Sequence, residues 1–204
     1  MGVRASFGEW FPVRLSSGMD VATAIAARRS IKRFTDRRVD RAEIEQLLDA
    51  AVQAPNHRMT EPWRFYVLGA ESRQAYGTVL GQRKAKKIED GAAGAAVVEK
   101  VAREHAGLPA MIAVAMLVDE NPEIREEDYA STMMAIQNLS LAAAAMGLGV
   151  HIKSGAVMDE PLAREAVGVP EGQRIVATIH LGEPAEIPSP KPRHDAREFT
   201  QWMP

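Results

Sequence analysis

Two clusters of basic residues, one near each end of the chain, are the side chains best suited to do chemistry. Arg28-Arg29-Ser30, followed by Lys32, lies near the start, and Lys191-Pro192-Arg193 lies near the end. Two guanidinium groups and a hydroxyl at a helix end form a fork that suits a phosphate monoester. The second cluster can close over the same phosphate, so the pair predicts a phosphate-bearing cofactor held by both ends of the chain. Each cluster also has a simpler interpretation. The first could be a basic helix end favoured by the helix dipole, and the second could be solvated charges in a tail.

The composition excludes several classes of function. The 204 residues are 46% hydrophobic and 25% charged, a mixture that can build the core of one domain. The net charge of -2 argues against a nucleic-acid-binding protein, which usually carries a clear basic excess. The chain has no cysteine, which excludes disulfides, thiolate chemistry and iron–sulfur clusters. Any redox chemistry therefore requires a bound cofactor.

Metal binding, membrane insertion and secretion are also not expected. The five histidines show no H-x-x-x-H or similar spacing, so we assign no metal site. No uninterrupted apolar run reaches the length of a membrane span. Residues 1–18 lack the long apolar segment of a secretory signal and are expected to form a loose N-terminal extension, which leaves residues 19–204 as one domain. The lack of cysteine fits a reducing compartment, and we expect a cytoplasmic protein.

Local signals predict alternating helices and strands. Asp20 is expected to cap a short helix that ends near Arg28. Asp40 and Glu43 form a capping box for a second helix, which Pro55 ends. Because no G-x-G-x-x-G follows the first strand, we expect an α+β sandwich rather than a parallel dinucleotide-binding sheet. Short apolar runs predict strands at residues 63–68, 111–118, 150–153 and 174–181.

The middle of the chain carries three more specific expectations. Residues 71–105 contain four glycines and are expected to form one helix followed by a mobile, lid-like stretch over 81–105. Residues 119–128 are expected to form an acidic turn. Residues 129–146 are apolar nearly all round, which predicts a helix that is partly buried at a subunit interface.

The C-terminal third is expected to end in an extended tail. Asp159 is expected to cap a helix that Gly168 ends. Four prolines between residues 184 and 192 favour an extended chain that wraps a neighbouring subunit.

Five motifs follow one another in order over about residues 20–204. They are Arg28-Arg29-Ser30-Ile31-Lys32-Arg33-Phe34, Ala54-Pro55-Asn56-His57 with Pro62-Trp63-Arg64-Phe65, Gly147-Leu148-Gly149 leading to Lys153-Ser154-Gly155, His180-Leu181-Gly182-Glu183-Pro184, and Lys191-Pro192-Arg193. Together they resemble the motifs of the nitroreductase family of FMN-dependent oxidoreductases, especially its small NAD(P)H nitroreductases. The resemblance implies an α/β/α sandwich with a mixed, mainly antiparallel sheet. It also implies a homodimer with a domain-swapped C-terminal tail and FMN at the subunit interface.

The same resemblance implies which residues bind FMN. In chain order they are Arg28, Arg29, Ser30, Lys32, Gln53, Asn56, His57, Ile152, Lys153, Ser154, Gly155, Lys191 and Arg193. The first three hold the phosphate, the ribityl chain and the pyrimidine edge. Gln53 and His57 reach the flavin from the partner subunit, residues 152–154 lie along the isoalloxazine ring, and the last two bind the phosphate. Two residues differ from those of many family members. Met59 stands where many have Asn or Ser, and Glu61 stands where many have Gln.

The chemistry of such a site needs few titratable groups. An ammonium group near a reduced flavin stabilises its negative charge and raises its reduction potential. Lys32 and Lys153 are the candidates for this role. NAD(P)H would deliver a hydride that later leaves to a nitroaromatic, a quinone or a similar electron-poor acceptor in the same space. This ping-pong cycle requires an open face above the cofactor, and we assign no catalytic side chain.

Other functions remain open at this point. A dehydrogenase, a dehalogenase or a flavin-cleaving enzyme could use the same scaffold, and a non-catalytic FMN-binding protein would carry the same motifs. The basic side chains between Arg83 and Lys87 are expected to form a solvated face, with attraction of an NADPH phosphate as the alternative.

Overall fold

The computed structural model describes residues 18–204, so the predicted loose extension at residues 1–18 lies outside the described residues except for Gly18. The helices are α1 (Val21–Ala27), α2 (Arg41–Ala51), α3 (Ala70–Ala85), α4 (Gly91–Ala106), α5 (Pro122–Ala145) and α6 (Pro161–Val167). The strands are β1 (Trp63–Val67), β2 (Ala110–Leu117), β3 (Gly149–Lys153) and β4 (Gln173–Gly182). Short 3-10 turns cover Ala156–Asp159 and Ala196–Phe199.

The first two helices begin at the residues that the sequence predicted. The Asp20 carboxylate accepts a hydrogen bond from the backbone N–H of Thr23 at 2.9 Å, which satisfies one free donor of α1. The Glu43 carboxylate reaches back to the backbone N–H of Asp40 at 2.8 Å and completes the capping box of α2. These caps set where α1 and α2 begin, and the segment 28–40 connects the two helices.

The described residues form a sheet in the order β1-β2-β4-β3, in which each pair of neighbouring strands is antiparallel. The central strand β2 is buried except at its last residue, as its continuous apolar run predicted. The strand β3 lies at the edge of this sheet, beside β4. The α+β class is confirmed.

Helices cover both faces of this sheet. On one face α2 and α5 bury apolar side chains such as Leu47 and Leu139 against Ile112 and Ile179 of the sheet. The other face packs against α3 and α6, with a core that includes Tyr76, Met111, Ala113, Ala163 and Val167. Because strand side chains alternate, β2 and β4 supply residues to both cores, and the α/β/α layering follows.

The prediction of one helix and then a lid-like stretch over 81–105 was wrong, because this region forms the two packed helices α3 and α4. Gly77 and Gly81 lie inside α3 rather than at breaks. An added Cβ would lie 2.9 Å from Cα of Ala102 at the first position and 2.8 Å from Cα of Val98 at the second. These glycines therefore allow the two helix backbones to approach closely.

Two helix starts also differ from the sequence predictions. Residues 122–128, predicted as an acidic turn, form the first turns of α5, because Asn121 caps the backbone N–H of Glu123 at 3.0 Å and Pro122 suits the first helical position. Asp159 lies in the 3-10 turn, and Glu160 precedes α6 instead. Gly168 ends α6 in a left-handed conformation, as predicted (φ 71°).

The long helix α5 is buried by its own chain along much of its length. Its buried positions include Ala135, Ile136, Leu139 and Ala143, which face the sheet and α2. Met134 remains exposed on another face. None of the helices in residues 18–204 is both long enough and apolar enough to cross a membrane.

Replacing Gly81 by Ala tests the close contact between α3 and α4. The new Cβ would press on the α4 backbone at Val98, so we expect the free energy of unfolding to fall by about 1–3 kcal/mol. Gly94→Ala is the control, because its Cβ would meet only Cβ of Ala85 at an ordinary 3.7 Å. That variant gains up to about 1 kcal/mol from helix propensity. Urea unfolding of both variants gives the comparison, and an equal response would contradict the contact.

Candidate functional site

The basic segment near the start of the chain lies directly against the edge strand β3. The backbone N–H of Ile31 donates to the carbonyl of Val150 at 2.9 Å, and Ser30 forms an isolated parallel bridge with the same residue. Gly149 makes this approach possible, because a Cβ there would lie 2.4 Å from Cγ1 of Ile31. The structure therefore places the predicted segment 28–32 against β3, the strand that contains Ile152 and Lys153 and leads into Ser154 and Gly155.

A second set of backbone contacts holds the other end of this segment. The N–H of Thr35 donates to the carbonyl of Glu183 at 2.9 Å, and the N–H of Ala185 donates to the carbonyl of Arg33 at 3.0 Å. Both partners follow the end of β4. The basic segment is thus anchored on both sides of Lys32, whose side chain is exposed.

Arg28 and Arg29 occupy different environments at the end of α1. Nη1 of Arg29 donates to the carbonyls of Ala26 at 2.7 Å and Arg28 at 2.9 Å, so this guanidinium turns back onto the helix end. Its Nε is buried and has no hydrogen-bond partner among residues 18–204. Neither Arg28 nor Lys32 forms an ion pair with a described residue. A free donor and uncompensated cations fit the demands of a phosphate dianion.

The segment after Ile152 places one more cation beside this cluster. The pKa of Lys153 is lowered by burial first and then by the nearby charge of Lys84, with a smaller contribution from Lys32. Several ammonium groups therefore lie within electrostatic range of one another. Ser154 and Gly155 are exposed at the strand end. An anion bound here would relieve the repulsion between the lysines.

Asn56 and His57 lie against α5 instead of β3. Oδ1 of Asn56 accepts from the backbone N–H of Glu61 at 2.8 Å, and its Nδ2 donates to Oγ of Ser131 at 3.3 Å. Nδ1 of His57 lies 3.2 Å from a carboxylate oxygen of Glu127. No hydrogen bond in the described part of the chain joins either residue to the basic segment.

The loop that carries these residues has an unusual backbone. Met59 and Glu61 have positive φ angles of 50° and 44°. Residues other than Gly, Asn or Asp rarely adopt such angles. The Asn56 amide holds this shape through the hydrogen bonds just described. Gln53, at the end of α2, is exposed. The side chain of Gln53, like that of His57, makes no hydrogen bond with the basic segment among residues 18–204.

The C-terminal basic pair lies on an exposed tail that follows β4. Residues 185–204 are exposed throughout. Nη1 of Arg193 reaches only the carbonyl of Pro192, at 3.4 Å, and Lys191 forms no ion pair with a described residue. Among residues 18–204, no hydrogen bond or ion pair joins the two basic clusters that the sequence predicted as one fork.

Sequence reasoning missed a buried group of histidines beneath the edge strand. The rings of His151 and His180, which are paired across β3 and β4, have centroids 6.1 Å apart. His180 lies 5.3 Å from the ring of His105, which comes from α4. The period-two alternation of His151 with Lys153 signalled a shared face. The strand register and the position of α4 were needed to show the cluster.

The histidine cluster is polar but electrically neutral near pH 7. Burial, reinforced by the charge of Lys153, lowers the pKa of His180 to about 2. Burial also lowers the pKa of His105 and of His151. Nε2 of His105, Nε2 of His180 and Oγ1 of Thr178 lack hydrogen-bond partners among residues 18–204. In the same range no three His, Cys, Asp or Glu side chains meet in a way that could hold a metal ion.

Acid should destabilise the protein through His180. Its folded pKa of about 2 lies below an unfolded value of about 6.5, so its contribution is complete above pH 6.5 and is lost as the pH falls toward 2. We expect a loss of up to about 1.4 kcal/mol per pH unit from this residue alone. Urea unfolding between pH 7 and 5 should show a shallower pH dependence for His180→Leu. His194→Gln, at an exposed position, should match the parent, and equal slopes in all three proteins would refute the assignment.

Comparisons with known proteins place the chain in a family. The family model described as "Nitroreductase family" matches residues 25–183. The Bacillus subtilis (strain 168) protein named "Putative NAD(P)H nitroreductase YfhC" is 34% identical over 183 residues, which are 87% of this chain and 91% of that protein.

Two solved structures extend the comparison to the fold. A nitroreductase-like family protein from Bacillus cereus superposes with a TM-score of 0.80 at 31% identity and covers 93% of this chain and 99% of its own. The "putative nitroreductase" of Desulfovibrio desulfuricans, in complex with FMN, gives a TM-score of 0.68 at 25% identity over 92% of this chain and 99% of its own. The extent of the matched residues and the shared fold lead to one conclusion: this chain belongs to the nitroreductase family.

Proposed function

We propose that this chain is an FMN-dependent oxidoreductase that takes electrons from NADH or NADPH and passes them to nitroaromatics, quinones or similar electron-poor acceptors. The observation that carries the proposal is the uncompensated positive charge of Arg28, Lys32 and Lys153 where the basic segment meets β3. Membership of the nitroreductase family and the FMN complex of the Desulfovibrio relative support the choice of cofactor.

The residues around the junction of the basic segment and β3 fit FMN at both ends of that molecule. Arg28, Arg29 and Ser30 would hold the phosphate and the ribityl chain, because they supply guanidinium, hydroxyl and backbone donors at the end of α1. Residues 152–155 would lie along the ring system, with Gly155 free of a side chain at the strand end. When bound, FMN supplies the two-electron redox chemistry that the side chains of this chain lack.

The lysines of the site act through charge rather than through proton transfer. With FMN bound, Lys32 and Lys153 would stabilise negative charge on the reduced ring system and so raise its reduction potential. The half-burial of Lys153 strengthens this effect, because electrostatic interactions grow as water is excluded. No side chain has to donate or accept a proton for the cofactor to be reduced, and the site needs only an open face where donor and acceptor alternate.

A homodimer completes the site in this proposal. The tail carries exposed Phe199 and Trp202, which are 76% and 92% exposed, and α1 exposes Val21 and Ile25. Such side chains on an extended segment favour burial against a second copy. A domain-swapped tail would bring the basic pair at residues 191–193 to the partner's phosphate site. Gln53 and His57 would approach the flavin across the same interface.

Flavin binding and reduction test the function directly. We expect the purified protein to show flavin absorption bands that bleach on adding NADH or NADPH without oxygen and return on adding a nitroaromatic or a quinone. Bands that do not bleach with either nucleotide would favour a non-catalytic flavin-binding protein. Absence of flavin bands after incubation with FMN would refute the cofactor assignment. Arg28→Ala should weaken FMN binding by at least about tenfold, because a charge-assisted hydrogen bond contributes about 1.5–3 kcal/mol.

Riboflavin and a neighbouring arginine give the controls for that variant. Riboflavin lacks the phosphate, so Arg28→Ala should leave its dissociation constant unchanged. Arg33→Ala should leave FMN binding unchanged, because Arg33 is paired with Glu186 at 3.4 Å. An equal loss of riboflavin and FMN affinity would show that Arg28 does not bind the phosphate.

The dimer is tested by removing the aromatic side chains of the tail. We expect the protein to sediment at twice its chain mass of 22.3 kDa. The double variant Phe199→Ala/Trp202→Ala should dissociate at concentrations at least about tenfold higher, as expected when large interface side chains are removed. Arg197→Ala is the control, because that side chain is exposed and bonds only Asp195 nearby. Sedimentation of the parent as a monomer would overturn the proposed assembly.

A further inference from the structure

A cavity of about 510 Å³ lies beside the C-terminal end of α3. Its lining is almost entirely basic and consists of Leu80, Arg83, Lys84, Lys86 and Lys87. Leu80, Arg83 and Lys84 have the spacing of one face of α3, and Lys86 and Lys87 lie in the turn that follows this helix. The cavity lies within the size range of sites that bind small molecules.

The charge of this cavity is largely uncompensated. Nη1 of Arg83 contacts the Glu160 carboxylate at 2.5 Å, which fixes one wall. Lys84, Lys86 and Lys87 form no ion pair with any residue between 18 and 204. A helix C-terminus favours a nearby cation by about 0.3–1 kcal/mol. This interaction with the helix end can explain one lysine at the end of α3. It does not explain why three unpaired ammonium groups line one cavity.

Lys84 links this cavity to the proposed flavin site. After burial, it is the charge that most lowers the pKa of Lys153. Its charge also contributes to the lowered pKa of His105, after burial and Lys153. Lys153 therefore feels the charges of both Lys32 and the cavity residue Lys84, with Glu104 as a nearby negative charge. A ligand with its reactive ring near Lys153 and a phosphate group farther along can interact with these positive charges.

We propose that this cavity binds the 2′-phosphate of NADPH and thereby makes the enzyme prefer NADPH to NADH. The inference rests on the proposed function, because it assumes that a nicotinamide nucleotide reduces the bound flavin. A 2′-phosphate carries close to two negative charges near pH 7, which matches a group of free ammonium donors. The pyrophosphate is common to both nucleotides and would give no preference.

Titration calorimetry of the FMN-loaded protein tests the site without catalysis. The probes are adenosine 2′,5′-bisphosphate, which carries the distinguishing phosphate, and 5′-AMP, which lacks it. We expect the bisphosphate to bind at least about tenfold more tightly, a difference of about 1.4 kcal/mol. The variant Lys86→Ala/Lys87→Ala should bind both probes equally. Lys100→Ala, an exposed lysine of α4 outside the cavity, should retain the preference.

Steady-state kinetics give the second readout. In the double variant, kcat/KM for NADPH should fall about tenfold through KM, while the value for NADH should stay unchanged. Both lysines are exposed, so a melting temperature equal to the parent's should confirm that folding is intact. A retained preference in the double variant would overturn the proposal. Competition by inorganic phosphate as strong as by the bisphosphate would also overturn it, because the site would then recognise phosphate alone.

Failure of the proposed function gives a different result. In that case neither nucleotide bleaches the flavin, whereas the calorimetric preference for the bisphosphate still reports on the cavity. Bleaching by both nucleotides with equal efficiency, together with equal binding of the two probes, would retain the oxidoreductase and reject the phosphate site.

Discussion

The contact between Ile31 and Val150 is the constraint on which the site depends. The absence of a side chain at Gly149 lets a segment near the start of the chain reach the edge strand, and a single backbone hydrogen bond of 2.9 Å marks the junction. The contacts of Thr35 and Ala185 then anchor the far end. Charged groups that are distant in sequence meet as a result of backbone geometry, so their side chains remain free to bind a ligand.

The layers behind the edge strand determine the electrostatics of the site. The histidines beneath β3 are buried and uncharged near neutral pH, so they add polarity without adding charge. Lys153 consequently carries the positive potential at the strand end, and Lys84 on the neighbouring helix extends it. Close packing of α3 on α4 through Gly77 and Gly81 holds the helix that presents this second lysine. In α3, the glycines that allow close packing therefore also hold the charge of Lys84 in place.

Local chemistry allowed much of the fold to be predicted. Asp20, Asp40 and Gly168 act through neighbouring backbone groups, so their roles can be read from a few residues of sequence. Gly81 was wrongly predicted to break a helix. In sequence, a glycine that allows a second helix to pack closely cannot be told from a glycine at the end of a helix. His105 joined the buried cluster only through tertiary packing. The basic segment and the stretch after Ile152 were predicted as one site, but the glycine that joins them was not assigned that role.

The exposed tail has a consequence for the life of the protein in a cell. An extended segment of exposed residues that includes Phe199 and Trp202 is what proteases and chaperones recognise in an unassembled subunit. If a second copy covers this segment, assembly protects the chain, and dilution exposes it again. The abundance of such a protein would then rise more steeply than its rate of synthesis, because each new subunit also shelters a partner from degradation.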